Sequence, residues 1–383
     1  MDFATRRAKP EYNVIQNRSL KYMDYPFFFI VVILLMLGLV MLYSASALYA
    51  VNKGQDALFY AKKQAFYIVL GFVLMAVFAR VDLEKLRRFI KPAFIITVLL
   101  LAVTLAMPPV AHVRRWIPLG FMKLQMSEFA KIALALYLAD FFDRNMSRIQ
   151  SDWKELLKPF GAMLAMLAFI AAEPDLGTPA LLFSVAMFVA FTAGVRLRYI
   201  LTPIAAVIPV LIEELLRKPY RIARLKNFMS PWQDASGTGY QLVQSLLAVG
   251  SGGWFGKGIG ASKIKLMYLP EPHTDFIFPV VSEELGLVGG LFIAGLFTAM
   301  LVKGARIARN APSLYTALAA FGLTLVMVLQ AYFNLAMAIG LIPTKGIPLP
   351  FFSYGGSSIL ASMIMVGIIL NVSAHRSGHK WQS

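Results

Sequence analysis

Long apolar stretches separated by short polar segments run along the chain from residue 26 onward. A helix that crosses a hydrocarbon core of about 30 Å needs about 20 apolar residues, so stretches of this kind predict membrane-spanning helices. The pattern predicts ten of them, at residues 26–48, 65–81, 89–108, 127–143, 159–173, 178–194, 198–216, 276–302, 314–342 and 352–373. The predicted fold class is therefore an all-α polytopic membrane protein.

The composition supports this fold class. The 383 residues are 58% hydrophobic, and the mean hydropathy is +0.67. Soluble domains are roughly 45–50% apolar and could not bury so much apolar surface. The chain has no cysteine, which excludes disulfides and thiolate metal sites. The first apolar stretch begins near Pro26 without a small-residue cleavage site, so we interpret it as a retained helix and not a signal peptide.

The basic residues indicate the orientation in the membrane. The net charge is +17, but its cations are dispersed through short loops, which favours membrane topology over nucleic-acid binding. One side of the predicted helices carries 20 Lys and Arg residues and the short loops of the other side carry 7. Cytoplasmic loops are enriched in these residues, so both termini are predicted to be cytoplasmic. Residues 1–25 and 374–383 would be tails around a transmembrane domain at 26–373.

Segments with unusual polar motifs gather on the outer side of this topology. The long loop at 217–275, between spans 7 and 8, is too polar and Gly-rich to cross the membrane, and ordered loops of this length are usually functional. Its residues 240–249 predict a short amphipathic helix in the interface. Residues 114–131, 173–178 and 341–358 fall on the same side. A turn would explain each segment alone, but their coincidence on one face indicates a site.

Asp275 stands where the long loop enters span 8, and two interpretations of it remain open. It can be the N-cap of that helix, because Asp before an apolar run is a strong capping signal. It can also be a partly desolvated carboxylate at the membrane boundary that acts as a general base. For His273 we favour a hydrogen-bonding role over metal binding, because no second histidine stands at ligand spacing.

Four further ionisable residues fall within the predicted spans. Glu128 and Lys131 are three residues apart, on one face of span 4. They predict either an intrahelical ion pair that lowers the cost of insertion or a functional pair in a polar cavity. Glu283 and Glu284 lie about 12–14 Å along span 8 from Asp275, at a rise of about 1.5 Å per residue. For these two we favour a buried structural network over direct catalysis.

Positive charge on the outer side suits an anionic ligand. The basic residues on this side are Arg114, Arg115, Lys123, Arg221, Arg224, Lys257, Lys263, Lys265 and Lys345. Together they favour a lipid-linked diphosphate, with Arg115 and Lys345 as candidate contacts. The glycines of SYGGSS can permit close helix packing or backbone contact with phosphate, but the motif is not a P-loop, and no nucleotide or organic cofactor is indicated.

Six motifs occur together in one order: RRWIPLG, SEFAK, EPDLGT, GYQLVQSLLAVGSGGWFGKGIG, LPEPHTDFIF and SYGGSS. Over residues 26–373 the chain resembles the SEDS family of bacterial cell-wall proteins, which includes FtsW, RodA and SpoVE. The segments TKGIPLP and FMSPWQD resemble the FtsW branch more closely than the RodA branch. The ordered set is specific, although each motif alone would be weak.

The resemblance implies a peptidoglycan glycosyltransferase that polymerises lipid II outside the cytoplasmic (inner) membrane. A class B penicillin-binding protein and other divisome or elongasome proteins would be its partners. The resemblance assigns the catalytic role to Asp275 and places Glu271, Trp116, Glu128, Lys131 and Asp175 around the substrate. A departing diphosphate needs cations, either basic side chains or a divalent ion such as Mg²⁺ or Mn²⁺.

Three alternatives remain open at this stage. Intramembrane charges also mark translocation paths, so a lipid II flippase or transporter is the first. The second is a noncatalytic scaffold that engages partner helices through Gly and Ala surfaces. The third keeps the polymerase activity but assigns it to the lateral wall, as in RodA, and not to the septum.

Overall fold

A computed structural model describes residues 23–108, 114–118, 120, 123–173, 175–216, 228–235, 237, 239–263, 265 and 272–375. Each of the ten predicted spans coincides with a helix in this part of the chain. The elements in chain order are α1 Tyr25–Asn52, α2 Phe59–Phe78, α3 Leu83–Arg87, α4 Ile90–Ala106, β1 Trp116–Pro118, β2 Lys123–Gln125, α5 Met126–Ser151, α6 Leu157–Ala172, α7 Gly177–Thr192, α8 Leu197–Leu216, α9 Tyr240–Ser251, α10 Ile277–Arg309, α11 Leu314–Ala338 and α12 Gly356–Ala374.

Six helices of the described chain are long and apolar enough to cross a membrane. They are α1, α2, α6 with the 3₁₀ turn before it, α10, α11 and α12, whereas α4, α7 and the first half of α8 are shorter apolar helices. This pattern confirms the predicted polytopic fold. The helix α5 differs, because it carries several charged side chains and continues to Ser151, beyond the predicted end at residue 143.

The helices α11 and α12 form the centre of the bundle. Most side chains of both are buried. The helix α11 packs against α5, α7, α10 and α12, while α12 also packs against α2. Many apolar side chains of α1, α2 and α4 remain exposed, as expected of helices that face lipid. Polar groups on α11 therefore lie in the interior, where an unpaired group is costly.

The helix α10 is interrupted at Gly286, which adopts φ 69° and ψ −168°. The predicted span at 276–302 coincides with this helix, but the sequence pattern did not indicate the break. The break frees backbone groups of α10, and residues 253–258 bind them. The N–H groups of Lys257 and Gly258 donate to the carbonyls of Glu283 and Glu284, at 3.0 and 3.1 Å, and two N–H groups after the break donate back to residues 253 and 254.

Two buried carboxylates fix this part of the long loop against the bundle. Glu283 accepts from Lys257 Nζ at 2.7 Å and from Ser262 Oγ at 2.6 Å. Glu284 accepts from Ser44 on α1 at 2.7 Å and lies 3.1 Å from Lys265 Nζ. These contacts lie about 10 Å along α10 from its first residue, at about 1.5 Å per residue. The prediction of a structural network for the two glutamates is confirmed.

The helix α9 begins and ends close to the predicted limits of the interfacial helix. It packs mainly on α10, and Ser245 Oγ donates to the carbonyl of Ala338 at the end of α11, at 2.6 Å. After α9 the loop lies against α1 and α10, because Lys265 Nζ lies 3.2 Å from Ser44 Oγ and 3.1 Å from Glu284 Oε1. Residues 217–227 of the same loop lie outside the described residues.

A second group of charges closes the opposite end of the bundle. Arg87 of α3 forms ion pairs with Asp140 and Asp143 of α5, and its guanidinium lies 4.8 Å from the ring centroid of Tyr315 on α11. Asp140 also accepts from Arg144 at 2.7 Å. Three of the charged side chains of α5, those of Asp140, Asp143 and Arg144, are therefore paired at this end.

Candidate functional site

Three segments that are far apart in the sequence meet at Gly346. A Cβ atom on this glycine would lie 3.0 Å from Asp275 Oδ2 and 3.8 Å from Arg115 Nη1, so both charged groups face the same small space. The Nε of Arg115 donates to the carbonyl of Glu173 at 2.9 Å. A Cβ on Gly177 would contact the side chain of Lys345 at 3.3 Å. The structure therefore brings together segments that the sequence predicted for one face.

The backbone that carries Asp275 is held at three consecutive carbonyls. The N–H of Tyr354 donates to the carbonyl of His273 at 2.9 Å, and Ser353 Oγ donates to that of Thr274 at 2.7 Å. The amide of Asn334 donates to the carbonyl of Asp275 itself at 2.7 Å. Helix α10 begins only at Ile277, and its N-cap residue makes no side-chain cap. The N-cap position is Phe276, one residue after Asp275, and the half-buried carboxylate of Asp275 belongs to the loop before α10.

His273 is enclosed by aromatic rings. The ring centroids of Tyr60, Tyr49 and Tyr354 lie 4.5, 4.9 and 5.9 Å from that of the imidazole. Burial lowers the pKa of His273 from 6.5 to about 4, so the ring is neutral at physiological pH. Its Nδ1 has no hydrogen-bond partner among the described residues, so at this atom the predicted hydrogen-bonding role is not found. The imidazole packs beside the Asp275 loop as an aromatic group.

Glu173 is an acidic residue of the site that sequence reasoning did not select. It follows the last residue of α6 and is 0% exposed. Its Oε1 accepts from Thr104 Oγ1 of α4 at 2.6 Å, whereas its Oε2 has no partner within the described chain. Burial, with a contribution from the negative charge of Asp175, raises the pKa of Glu173 to about 7. The sequence shows a carboxylate at a helix end, but its burial depends on packing against α4.

Asp175 and Lys345 belong to the same two loops as Glu173 and Gly346. Asp175 is buried and caps α7, because its Oδ1 accepts from the N–H groups of Gly177 and Thr178 at 2.9 and 3.0 Å. The backbone N–H of Lys345 donates to Met337 Sδ, and no described residue forms a hydrogen bond or ion pair with its ammonium group. Burial lowers the pKa of Lys345, and the charge of Asp175 opposes that shift. Lys345 is therefore a cation without a protein partner in the described chain, which suits an anionic ligand.

Glu128 and Lys131 form a buried ion pair behind this space. The Nζ of Lys131 lies 2.6 Å from Glu128 Oε1 and 2.7 Å from the side-chain oxygen of Gln330. The amide nitrogen of Gln330 donates to the carbonyl of Pro348 at 2.9 Å. The pair is therefore connected to the 345–349 segment through Gln330. Direct contact of either residue with substrate stays a prediction.

Trp116 lies in a small β-hairpin over the same end of the bundle. Strands β1 and β2 are antiparallel, with Trp116 opposite Gln125, and the indole is half-buried. Ser357 of the SYGGSS motif accepts from the N–H of Gln125 at 3.0 Å. A Cβ on Gly356 would approach the ring of Tyr67 to 3.0 Å, so this glycine serves close helix packing.

Two further predictions concern Glu271 and a metal ion. Glu271 lies outside the described residues. Within the described ranges, no three His, Asp or Glu side chains are grouped as metal ligands. The described residues therefore do not by themselves form a protein cage for Mg²⁺ or Mn²⁺, which prefer several oxygen ligands.

The arrangement can perform proton transfer next to an anion. Asp275 offers a carboxylate at the rim of the space, and Arg115 and Lys345 offer positive charge within the same cluster of loops. A carboxylate base beside a pair of cations suits the attack of a hydroxyl group on a centre that carries a phosphate leaving group.

The sequence matches a known protein family and several of its members. Residues 25–378 match the family described as cell cycle protein, which groups FtsW, RodA and SpoVE. The chain is 39% identical to stage V sporulation protein E of Bacillus subtilis, over 90% of this chain and 95% of that protein. It is 40% identical to the probable peptidoglycan glycosyltransferase FtsW of Coxiella burnetii, over 89% of this chain and 93% of that protein.

Two solved structures have a fold similar to that of this chain. A chain from a study of the structural coordination of polymerization and crosslinking by a peptidoglycan synthase complex superimposes with a TM-score of 0.77 at 27% identity, covering 93% of this chain and 99% of that chain. The rod shape determining protein RodA of Thermus thermophilus gives a TM-score of 0.68 at 26% identity, covering 93% of this chain and 98% of that one.

Proposed function

Because this chain belongs to the FtsW, RodA and SpoVE family of cell cycle proteins, we propose that it is a peptidoglycan glycosyltransferase. Its substrate is lipid II, which it polymerises into β-1,4 glycan strands on the outer face of the cytoplasmic membrane. The observation that supports this most directly is the shared space at Gly346, which Asp275 and Arg115 both face. Relatives named FtsW also bear the glycosyltransferase name, which supports the same activity here.

The proposed reaction is a single inverting displacement. The 4-hydroxyl of the acceptor sugar attacks the anomeric carbon of the donor, and Asp275 takes the hydroxyl proton. The new carbon–oxygen bond forms as the bond from the anomeric carbon to the lipid diphosphate breaks, which turns an α linkage into β. The bonding electrons leave with the diphosphate, and Arg115 and Lys345 stabilise its negative charge. One base is sufficient, because a diphosphate is a good leaving group, unlike the alcohol released by a glycosidase.

The remaining predicted residues have supporting roles in this proposal. Trp116 in the hairpin, the Glu128 and Lys131 pair, Asp175 at the cap of α7, and Glu271 surround the substrate. A divalent cation, Mg²⁺ or Mn²⁺, would enter with the diphosphate, since the described residues provide no cage for it. If it does so, chelation should lower the rate without lowering the stability of the ligand-free protein.

The distribution of Lys and Arg supports a proposed orientation of the chain in the membrane. We place the chain in the bacterial inner membrane with both termini in the cytoplasm. A class B penicillin-binding protein is the proposed partner, which would cross-link the strands, and the solved relative from a peptidoglycan synthase complex supports this. The FtsW-named relatives favour a role in septal wall synthesis.

Purified full-length protein, alone and with the class B penicillin-binding protein of the same genome, should convert lipid II into glycan strands. The Asp275→Ala variant should make none while retaining its thermal unfolding midpoint. Asp56→Asn is the matched control, because Asp56 is an exposed outer carboxylate paired with Lys62. Wild-type rates in Asp275→Ala would disprove the assignment. Reorientation of lipid II across vesicles without polymer would instead favour the flippase.

A further inference from the structure

A side-chain amide in the centre of the bundle joins the two loops that form the site. Asn334 lies on α11, one turn after Gln330, and is completely buried. Its Nδ2 donates to the carbonyl of Asp275 at 2.7 Å and to the carbonyl of Ile347 at 2.7 Å. Both neighbours are acceptors, so the orientation of the amide is fixed by the hydrogen bonds.

The two bonded carbonyls belong to the segments that carry the proposed base and the proposed cation. Asp275 lies before α10, and Ile347 follows Lys345 and Gly346 in the loop before α12. Gln330 adds a second anchor to this loop at the carbonyl of Pro348. The two amides, four residues apart on one face of α11, therefore hold a loop that has no regular structure of its own.

The unpaired atom of Asn334 argues against a purely stabilising role. Its Oδ1 is buried and has no hydrogen-bond partner among the described residues. An unpaired buried oxygen opposes folding, so its presence requires an explanation other than stability. The two hydrogen bonds of Asn334 instead fix the distance between the loop that carries Asp275 and the loop that carries Lys345.

We propose that Asn334 is a positioning residue, which holds the carboxylate of Asp275 and the ammonium of Lys345 at the separation that the transfer of a lipid-linked sugar requires. The inference rests on the proposed glycosyltransferase function. It assigns Asn334 no contact with substrate. Its effect is on the geometry in which the base meets the acceptor hydroxyl while the leaving diphosphate meets a cation, and small misplacements of such groups are costly to rate.

The chain offers a matched control at the other end of the bundle. Asn371 on α12 is also buried, and its Nδ2 also donates to two carbonyls, those of Phe78 and Val81, at 2.9 and 2.6 Å. Asn371→Ala removes the same number and type of hydrogen bonds from a place that is remote in the fold from Asp275. Any general cost of losing a buried amide bridge should therefore occur in both variants.

The experiment measures lipid II polymerisation by the full-length protein with its class B penicillin-binding protein, together with unfolding midpoints. In Asn334→Ala and in the isosteric Asn334→Asp, kcat should fall about 10²-fold. The KM for lipid II should change far less, because the amide does not bind substrate. Asn371→Ala should shift the unfolding midpoint by a similar amount and leave kcat within about twofold of wild type.

The outcomes distinguish failure of the proposed function from failure of the role of Asn334. Wild type that makes no glycan contradicts the proposed function itself. Asp275→Ala that makes normal glycan contradicts the assignment of Asp275 as the base, and the positioning role of Asn334 falls with it. Active wild type and inactive Asp275→Ala, combined with normal kcat in both Asn334 variants, overturns only the role of Asn334. If both Asn334 variants fail to fold while Asn371→Ala folds, the amide is structural and the inference is wrong.

Discussion

The ammonium of Lys131 lies 2.6 Å from the carboxylate of Glu128, and the two side chains are 2% and 3% exposed. The pair lies one helical turn into α5, and Gln330 accepts a further hydrogen bond from Lys131 at 2.7 Å. Two opposite charges buried at this separation depend on each other, because neither has water to replace its partner.

Removing one member of that pair should therefore be costly. We expect Lys131→Met to destabilise the protein by about 3–5 kcal/mol, since it leaves Glu128 as an uncompensated buried charge. The double variant Lys131→Met with Glu128→Gln should recover a large part of the loss. Unfolding followed by intrinsic fluorescence in detergent measures both. Lys62→Met, which breaks the exposed pair with Asp56, is the control and should cause no measurable change. Equal effects at the two sites would contradict this account.

Glu173 should make stability fall as the pH rises from about 4.5 to about 7. Its pKa is raised to about 7, so in that interval the folded protein holds a proton that the unfolded chain releases. The slope from one such proton is at most about 1.4 kcal/mol per pH unit. Glu173→Gln should remove this slope, as measured by unfolding midpoints across the interval. The groups that face Glu173 are Thr104, Arg115 and Asp175, and a slope unchanged in the variant would place its origin elsewhere.

His273 should produce the opposite slope. Burial lowers its pKa to about 4, so between about 6.5 and 4 the unfolded chain binds a proton that the folded chain excludes. Stability due to this residue is therefore present above pH 6.5 and is lost as the pH falls. His273→Phe keeps an aromatic ring among the tyrosines and should remove this acid-induced loss. The variant should be measured in the Glu173→Gln background, because the two slopes overlap. An unchanged acid response there would show that His273 does not cause it.

Gly256 should tolerate no side chain, whereas Gly258 should tolerate one better. Both have positive φ, at 78° and 97°, so alanine costs backbone strain at either position. A Cβ on Gly256 would lie 2.1 Å from the carbonyl oxygen of Glu284, while one on Gly258 would meet no atom within 4 Å. We expect Gly256→Ala to release residues 253–258 from α10, detected as faster proteolysis of the loop. Comparable proteolysis of Gly258→Ala would show that strain, and not close contact, dominates.

The placement of the helices could be predicted because the signal is local. Ten apolar stretches gave ten helices, and counting Lys and Arg placed the polar motifs on one side. The structural role of Glu283 and Glu284 could also be predicted, since charges at that depth must find partners. The break at Gly286 could not, because its backbone partners lie some thirty residues earlier in a loop with no periodic pattern.

The sequence by itself determined that the chain is a bundle of membrane helices with its polar motifs on one side, because span length and charge asymmetry are properties of short segments. Only the tertiary structure decided how that end is built. Asn334 and Asp275 are 59 positions apart, and Ser44 and Glu284 are 240 apart. The burial of Glu173, the clamp at Asn334 and the loop within the broken helix α10 all arise from such distant pairs. Their geometry exists only once the helices have packed, since no local pattern specifies which partner a buried polar group will find.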